Sequence, residues 1–557
     1  MTGQRYAAPF VIRGEVLGLA GERGLQKDSW IRIAGESITD VGRGEPGGAK
    51  ALDVGRRTIM PGFVDTHTHA LEGSVGVATM VNCVDNCGSI DDMLQVLSDN
   101  LGETGDEGWL RARGLLFMNR RWSDGHYPTR HDLDRVSKTT PIAVQTGHLT
   151  MLNSKALELV EIERYLGVAD GSMGPGEVQL GPDGRPNGLI NNLDALLPFP
   201  EPDPDTVEDA VRAGVERLFT ANGVTTLCDM TESRSSFDAL VRLIDAGAMG
   251  TRIVSFLMVP GLLRLADGLA WREFGLTERP GMLDIRGVKM FADGGYSSSD
   301  AAVHSPYCDD VALEPGSLGK LSFGDEQLAG ILEQISATGA QLAMHANGER
   351  AQQQISRVAA GLPAVMAGPP IRLEHAGNWV WEPTTPGEWA TGNAVPVPQP
   401  AFIYTMAAGM PRQLGGYGAR HGRSPYRTLM EAGWDLPSGS DWLWCFEEAV
   451  TNPFFSMWCT MKRAGWDGVV IDPEESLDLE SSLRMHTING VRLLGEESTR
   501  GSLEPGKLAD FIVLDRDITV GTTPDNVKDI RVDHVFAGGR LVYSRPGAEP
   551  IADRFLD

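Results

Sequence analysis

Long uninterrupted apolar runs are missing from this sequence. No stretch approaches ~18 apolar residues, so a transmembrane helix is not expected. Basic residues are scarce beside acidic ones, 49 Lys and Arg against 75 Asp and Glu, for a net charge of −26. That balance argues against nucleic acid or an anionic membrane as partner, because both need a Lys/Arg-rich surface. Cysteine is sparse as well. Six in 557 residues, widely scattered, exclude a disulfide framework and fit reduced thiols in a cytoplasm. Cys83 and Cys87 offer half of a metal site, but no second Cys or His pair lies nearby to complete it. The start, Met1 to Arg5, lacks the apolar core of a secretory signal, so the cytoplasm is the expected location.

What is present is an ordinary globular composition, 41% apolar and 22% charged, on a chain long enough for two or three domains. Residues 8–57 hold short apolar or alternating runs such as Phe10–Leu17 and Trp30–Ala34, and Asp510–Asp515 and Val532–Tyr543 repeat that character near the other end. Strand-rich ends around a different middle predict one small β domain built from both termini. In the middle, Leu328, Ile331, Leu332 and Ile335 form one apolar helical face. Gly339 stops that helix, and Gln341–Met344 then reads as a strand delivering His345. Helix-then-strand units of this kind predict a parallel sheet with helices outside.

Eight strands are expected. They close at His67/His69, Val224–Asp229, Ile253–Leu257, Val288–Asp293, Leu342–His345, Ile371–His375, Ala394–Gln399 and Leu436–Asp441. Eight is the number for a (β/α)8 barrel, whose catalytic residues gather at the C-terminal ends of its strands. Pro396 and Pro398 make the seventh the weakest candidate. About 150 residues separate the first two strands, far more than a βα loop needs. Gly/Pro-rich pieces at 171–176 and 181–186 interrupt this stretch, which reads as an inserted subdomain over the barrel mouth. The expected organisation is therefore a β-sandwich domain from 1–58 and 500–557, and a barrel over 59–499 with its insertion at about 71–215.

The chemistry begins at Pro61-Gly62-Phe63-Val64-Asp65-Thr66-His67-Thr68-His69. Alternate residues of a strand share a face, so His67 and His69 point the same way, suited to converge on one ion. His345, His375, Lys289 and Asp441 also close predicted strands. Taken singly, each admits a plainer role. His375 suits a hydrogen-bonded core histidine, Lys289 a surface lysine or a partner of Asp293 or Asp229, and Asp441 a helix cap. Taken together, six residues of metal-site type at five strand ends of one barrel argue for a divalent-metal site, with Zn²⁺ the natural ion.

These segments carry a resemblance. With Gly147–Leu157, Val288–Gly294, His345–Glu349, Arg372–His375, Gly439–Asp441 and Gly501–Asp510, the sequence resembles the amidohydrolase superfamily, in its YtcJ-like branch with the N-substituted formamide deformylases. The resemblance implies a metal-dependent hydrolase acting on non-peptide C–N bonds. It implies one ion on His67, His69 and Asp441, a second on His345 and His375, and a carboxylated Lys289 bridging them; a single-ion site stays open. Asp441 then takes a proton from the attacking water and passes it to the leaving nitrogen. His148 is a candidate contact to the oxyanion or to a group behind the metal ligands, with a backbone-bonded loop histidine as the alternative. The sequence departs from the branch at Asn191-Asn192, where a glutamate is common, and at Trp442-Leu443-Trp444, where a proline is common.

The substrate expected from Trp442, Trp444, Trp379, Phe291 and Tyr296 near strand ends is a small neutral amide, formamide or carbamate with an apolar substituent; burial of the tryptophans in the core is the competing reading. A cyclic amidase or a deaminase is the rival enzyme, although Lys289 speaks against the deaminase. A catalytically dead binding protein is the rival of another class. The resemblance also implies a homodimer as one assembly, but no stretch declares an interface.

Overall fold

The computed structural model describes residues 9–19, 26–47, 51–102, 108–168, 170–171, 173–549 and 551. The start Met1 to Arg5, Ser172 of the 171–176 piece and the outermost residues of both terminal segments lie outside the described residues. No helix among those described is long and apolar enough to cross a membrane.

Seven parallel strands form the central sheet, in sequence order around the ring. They are β1 (Phe63–Thr68), β2 (Val224–Thr231), β3 (Arg252–Met258), β4 (Leu283–Phe291), β5 (Gln341–His345), β6 (Ile371–Glu374) and β7 (Ala394–Val397). β1, β2, β3, β5 and β6 are buried along their whole length, as expected of a sheet covered on both faces. The helix expected before β5 spans Asp325–Thr338, buries Leu328, Ile331, Leu332 and Ile335, and ends at Gly339 in the left-handed region. β7 forms despite Pro396 because it is the edge of the ladder, where a missing N–H is tolerated.

The eighth expected strand is not a strand. Leu436–Asp441 runs without regular pairing, broken by Pro437 and by a left-handed Asp441 (φ 51). It nevertheless closes the ring. The Gly439 N–H donates to Pro398 O at 3.1 Å on one side, and on the other Thr66 N–H reaches Ser438 O at 3.0 Å and Asp441 N–H reaches His67 O at 2.7 Å. The Asp65 carboxylate accepts from Ser440 N–H at 2.9 Å and pins the two segments together. Gly439 is required by this approach, since a Cβ there would lie 2.6 Å from His67 Cβ.

The ends of the chain supply a seven-stranded sheet in the order Arg540–Ser544, Val532–Ala537, Phe511–Leu514, Ala51–Pro61, Phe10–Val16, Gln26–Ala34, Ser37–Arg43. Its strands come from both termini. They belong to one hydrogen-bonded sheet. The long connection after β1 carries a six-stranded mixed sheet, from Val81–Cys83 through Pro186–Asn191 to its edge at Glu177–Leu180.

His486 is buried against the closing segment, its Nε2 2.9 Å from Ser438 Oγ and its Nδ1 2.8 Å from Ser482 O. Burial lowers its pKa from 6.5 to about 4. The unfolded chain therefore binds a proton here at pH values where the folded chain does not, so stability falls as pH drops from 6.5 towards 4, by about 3 kcal/mol at most. The urea midpoint of the wild type should fall across that window, and His486→Gln should fall less steeply. Equal slopes would remove His486 as a source of the acid sensitivity.

Candidate metal centre

At the C-terminal end of the barrel, each predicted ligand arrives from its own element. His67 ends β1, and His69 follows it as the cap of helix Ala70–Thr79. Lys289 lies in β4 and His345 ends β5. His375 follows β6 in the left-handed region (φ 77), and Asp441 stands in the closing segment. Left-handed backbone at a non-glycine residue is strained, and here it turns two donor side chains inward. His67, Lys289, His345 and His375 are all under 4% exposed.

Among the described residues, His67, His375 and Asp441 form a group whose donor atoms lie within 4.8 Å of one another. It cuts across the two expected ligand sets. His67 Nε2 is 3.1 Å and His69 Nε2 3.4 Å from Asp441 Oδ1, while Lys289 Nζ is 3.5 Å from His67 Nε2. The His345 ring stands 4.5 Å from that of His375. Its Nε2 is 3.1 Å from Gly294 O and 3.1 Å from Asn347 Nδ2.

Behind this layer sits a second one, which the sequence reading did not identify. His67 Nδ1 donates to Glu374 Oε2 at 2.5 Å, and Arg372 Nε donates to the other oxygen of that carboxylate at 2.7 Å. Arg372 also reaches Thr66 O and stacks on Phe256. His69 Nδ1 bonds the Glu232 carboxylate. His375 Nδ1 donates to Gln399 Oε1 at 2.8 Å, an oxygen oriented by Asn378 Nδ2 at 2.7 Å. Glu374 lay inside a quoted motif, but Glu232 and Gln399 carry no spacing signal. Asp293 and Asp229 take backbone roles, Asp293 accepting from Ala302, Asn347 and Gly348 and Asp229 from Leu71.

The electrostatics follow from burial and these partners. Burial raises Glu374, but Arg372 and His67 outweigh it and bring the carboxyl down to about 2. Burial likewise works against Asp441, and His67 and His375 hold it well below the usual carboxylate range. His375 is pushed down to about 3 by burial, and His345 falls well below the usual imidazole value for the same reason. His69 goes the other way. Burial opposes its charge, yet Glu232 and Asp441 lift it to about 9. Burial lowers Lys289 to about 8.

These donors fit a divalent ion. With Nδ1–H committed to Glu374, a His67 ring carrying a single N–H would present a bare Nε2 towards the Asp441 oxygen, acceptor against acceptor. A cation between them resolves that conflict, and orienting acceptors behind metal-bound imidazoles are the usual arrangement. The cavity above has a volume of about 40 Å³ and is bounded by His69, Lys289, His345, His375 and Asp441 below. Leu116, Gly147, His148 and Met173 of the inserted segment, with Phe291, Leu443, Cys445 and Phe446, form its walls. Of the aromatics expected there, only Phe291 lines it. Trp442 packs edge-on against Phe219 and Trp379 against Tyr296, in the core. Cys83 and Cys87 hydrogen-bond each other and are both free thiols. A second His/Asp/Glu group, His421, Asp472 and Glu474, is largely exposed, and Arg423 already pairs with its aspartate.

The family profile described as "Amidohydrolase family" matches residues 50–543. The chain is 26% identical over 547 residues to the N-substituted formamide deformylase of Arthrobacter pascens, covering 93% of this chain and 94% of that protein. It is 25% identical over 520 residues to Protein LONG AFTER FAR-RED 3 of Arabidopsis thaliana, covering 89% and 84%. An uncharacterized metal-dependent hydrolase from Pyrococcus horikoshii shares the fold, with a TM-score of 0.69 at 21% identity over 93% of this chain and 99% of that one.

Removing the negative charge behind His67 and disturbing its pairing with Arg372 should loosen the centre without touching a donor. Glu374→Gln is expected to weaken Zn²⁺ affinity about 10–100-fold, read by competition with a chromogenic chelator. Unchanged affinity would show that the Arg372–Glu374 pair serves only the barrel core.

Proposed function

The chain belongs to the amidohydrolase family, and on that premise we propose that it hydrolyses the C–N bond of a small neutral N-substituted amide, formamide or carbamate. One observation carries the reading: a buried set of imidazoles and a carboxylate that fits a cation lies under walls that are mostly apolar, in one small cavity. A volume of about 40 Å³ suits a compact acyl group such as formyl. Similarity to a formamide deformylase supports the same class.

His67, His375 and Asp441 would hold one ion, with His69 beside them, and His345 with a carboxylated Lys289 would extend the site to a second. When bound, a Zn²⁺-type ion supplies Lewis acidity and lowers the pKa of water towards ~7. The residues do the rest. Asp441 stays ionised at neutral pH, so it can accept the proton of the attacking water and return it to the leaving nitrogen. Lys289, lowered to about 8, has a neutral fraction near neutral pH. That amine can add to CO₂, forming an N–C bond and releasing one proton, which replaces a buried cation by an anionic oxygen donor. Such a lysine favours the hydrolase over a one-ion deaminase. A complete donor set favours an enzyme over an inactive binding protein.

Lys289→Ala should lose at least one ion per chain and drop turnover by about 100-fold or more, with partial rescue by short carboxylic acids. Metal content and turnover are measured together on the same preparation. Equal content and equal turnover in both proteins would rule out the bridging role. A panel of linear and cyclic amides, carbamates and acyl-amino acids tests the substrate class, and turnover confined to highly charged acyl-amino acids would overturn it.

A further inference from the structure

We infer that His148 reads the substrate by accepting the N–H of the scissile amide, so that the site favours an N-monosubstituted amide over its N,N-disubstituted counterpart. The inference rests on the hydrolase reading above and adds to it the bond that selects. It departs from the oxyanion contact expected of His148, which requires a donor.

The argument starts at Asn192. Its Nδ2 lies 2.8 Å from Pro175 O and 2.6 Å from Asp300 Oδ2. A backbone carbonyl only accepts, so the amide NH₂ must face that side. The Asn192 oxygen therefore faces the imidazole, 2.7 Å from His148 Nδ1. An amide oxygen cannot donate, so Nδ1 carries the hydrogen. A neutral imidazole has one N–H, which leaves His148 Nε2 as a bare acceptor.

Several contacts hold that arrangement. Asn192 N–H donates to His148 O at 2.9 Å, and Asn192 itself is in the left-handed region (φ 58). Asp300, which receives the Asn192 amide, also accepts from Ser298 Oγ at 2.6 Å. The Cδ2 edge of the ring packs on Gly295, where a Cβ would come within 2.8 Å. The ring stands 5.0 Å from that of His345 and lines the cavity. On the walls, apart from the Cys445 thiol, His148 is the sole polar side chain among the described lining residues.

Substrate geometry supplies the rest. In a trans secondary amide the N–H points opposite to the C=O. With the carbonyl directed to the floor, the N–H is directed to the wall, where a buried donor needs an acceptor. A tertiary amide offers a methyl group instead and leaves Nε2 unpaired.

Two measurements test this on the metal-loaded protein. With ¹⁵N-labelled histidine, the His148 ring, assigned by its loss in His148→Phe, should show the Nδ1–H tautomer, and Asn192→Leu should mix or reverse it. In kinetics, the wild type should prefer N-butylformamide over N-butyl-N-methylformamide by about 100-fold or more in kcat/KM. In His148→Phe, which keeps a ring but no acceptor, the preference should shrink to a few-fold with metal content unchanged. An Nε2–H tautomer in the wild type, equal turnover of the two formamides, or an undiminished preference in His148→Phe overturns the inference. No turnover of any secondary amide, formamide or carbamate overturns the substrate reading itself, and the selection step with it.

Discussion

The centre of this molecule is organised by imidazoles that have an acceptor on both sides. Glu374, Glu232 and Gln399 each engage an Nδ1, and the Asp441 carboxylate waits near the Nε2 atoms of His67 and His69. A neutral ring cannot donate in both directions, so the arrangement requires either imidazolium or a bound cation. Glu232 and Asp441 favour the first solution at His69, since both raise its pKa. A divalent ion is the second. Buried Arg372 belongs to the same problem, because an unpaired Glu374 carboxylate in the barrel core would be prohibitively costly.

The floor of the cavity comes from the barrel, and its walls come in part from the inserted segment. Barrel strands and the closing segment supply the donors, all on backbone locked into one ladder or hydrogen-bonded to it. The inserted segment supplies Leu116, His148 and Met173. The walls are thus shared between two frameworks, because Phe291 of β4 and Leu443, Cys445 and Phe446 beyond the closing segment complete them.

Much of this was legible in the sequence. Six donor-type residues announce themselves because strand ends in a barrel converge, and the strands announce themselves by apolar runs between helical periods. The eighth strand was misread because Leu436–Asp441 does a strand's closing work while Pro437 and Asp441 forbid its regular geometry. The orienting residues were less legible. Glu232 and Gln399 act from loops, where a hydrogen bond to a distant histidine leaves no periodic trace in the chain. Trp442 and Trp379 misled for another reason, since an apolar residue near a strand end looks the same whether it walls a pocket or fills a core.

The irregular closing segment also bears on how the protein comes to be folded. Ser440 and Asp65, bonded in the finished barrel, are 375 residues apart in the chain. Their meeting is among the last and slowest contacts a growing chain can make, because most of the barrel must be in place before they touch. Asp441 reaches His67 only at that moment. Ion capture by the full donor set is then coupled to ring closure, and an ion available during synthesis would favour the closed ring over its open precursors.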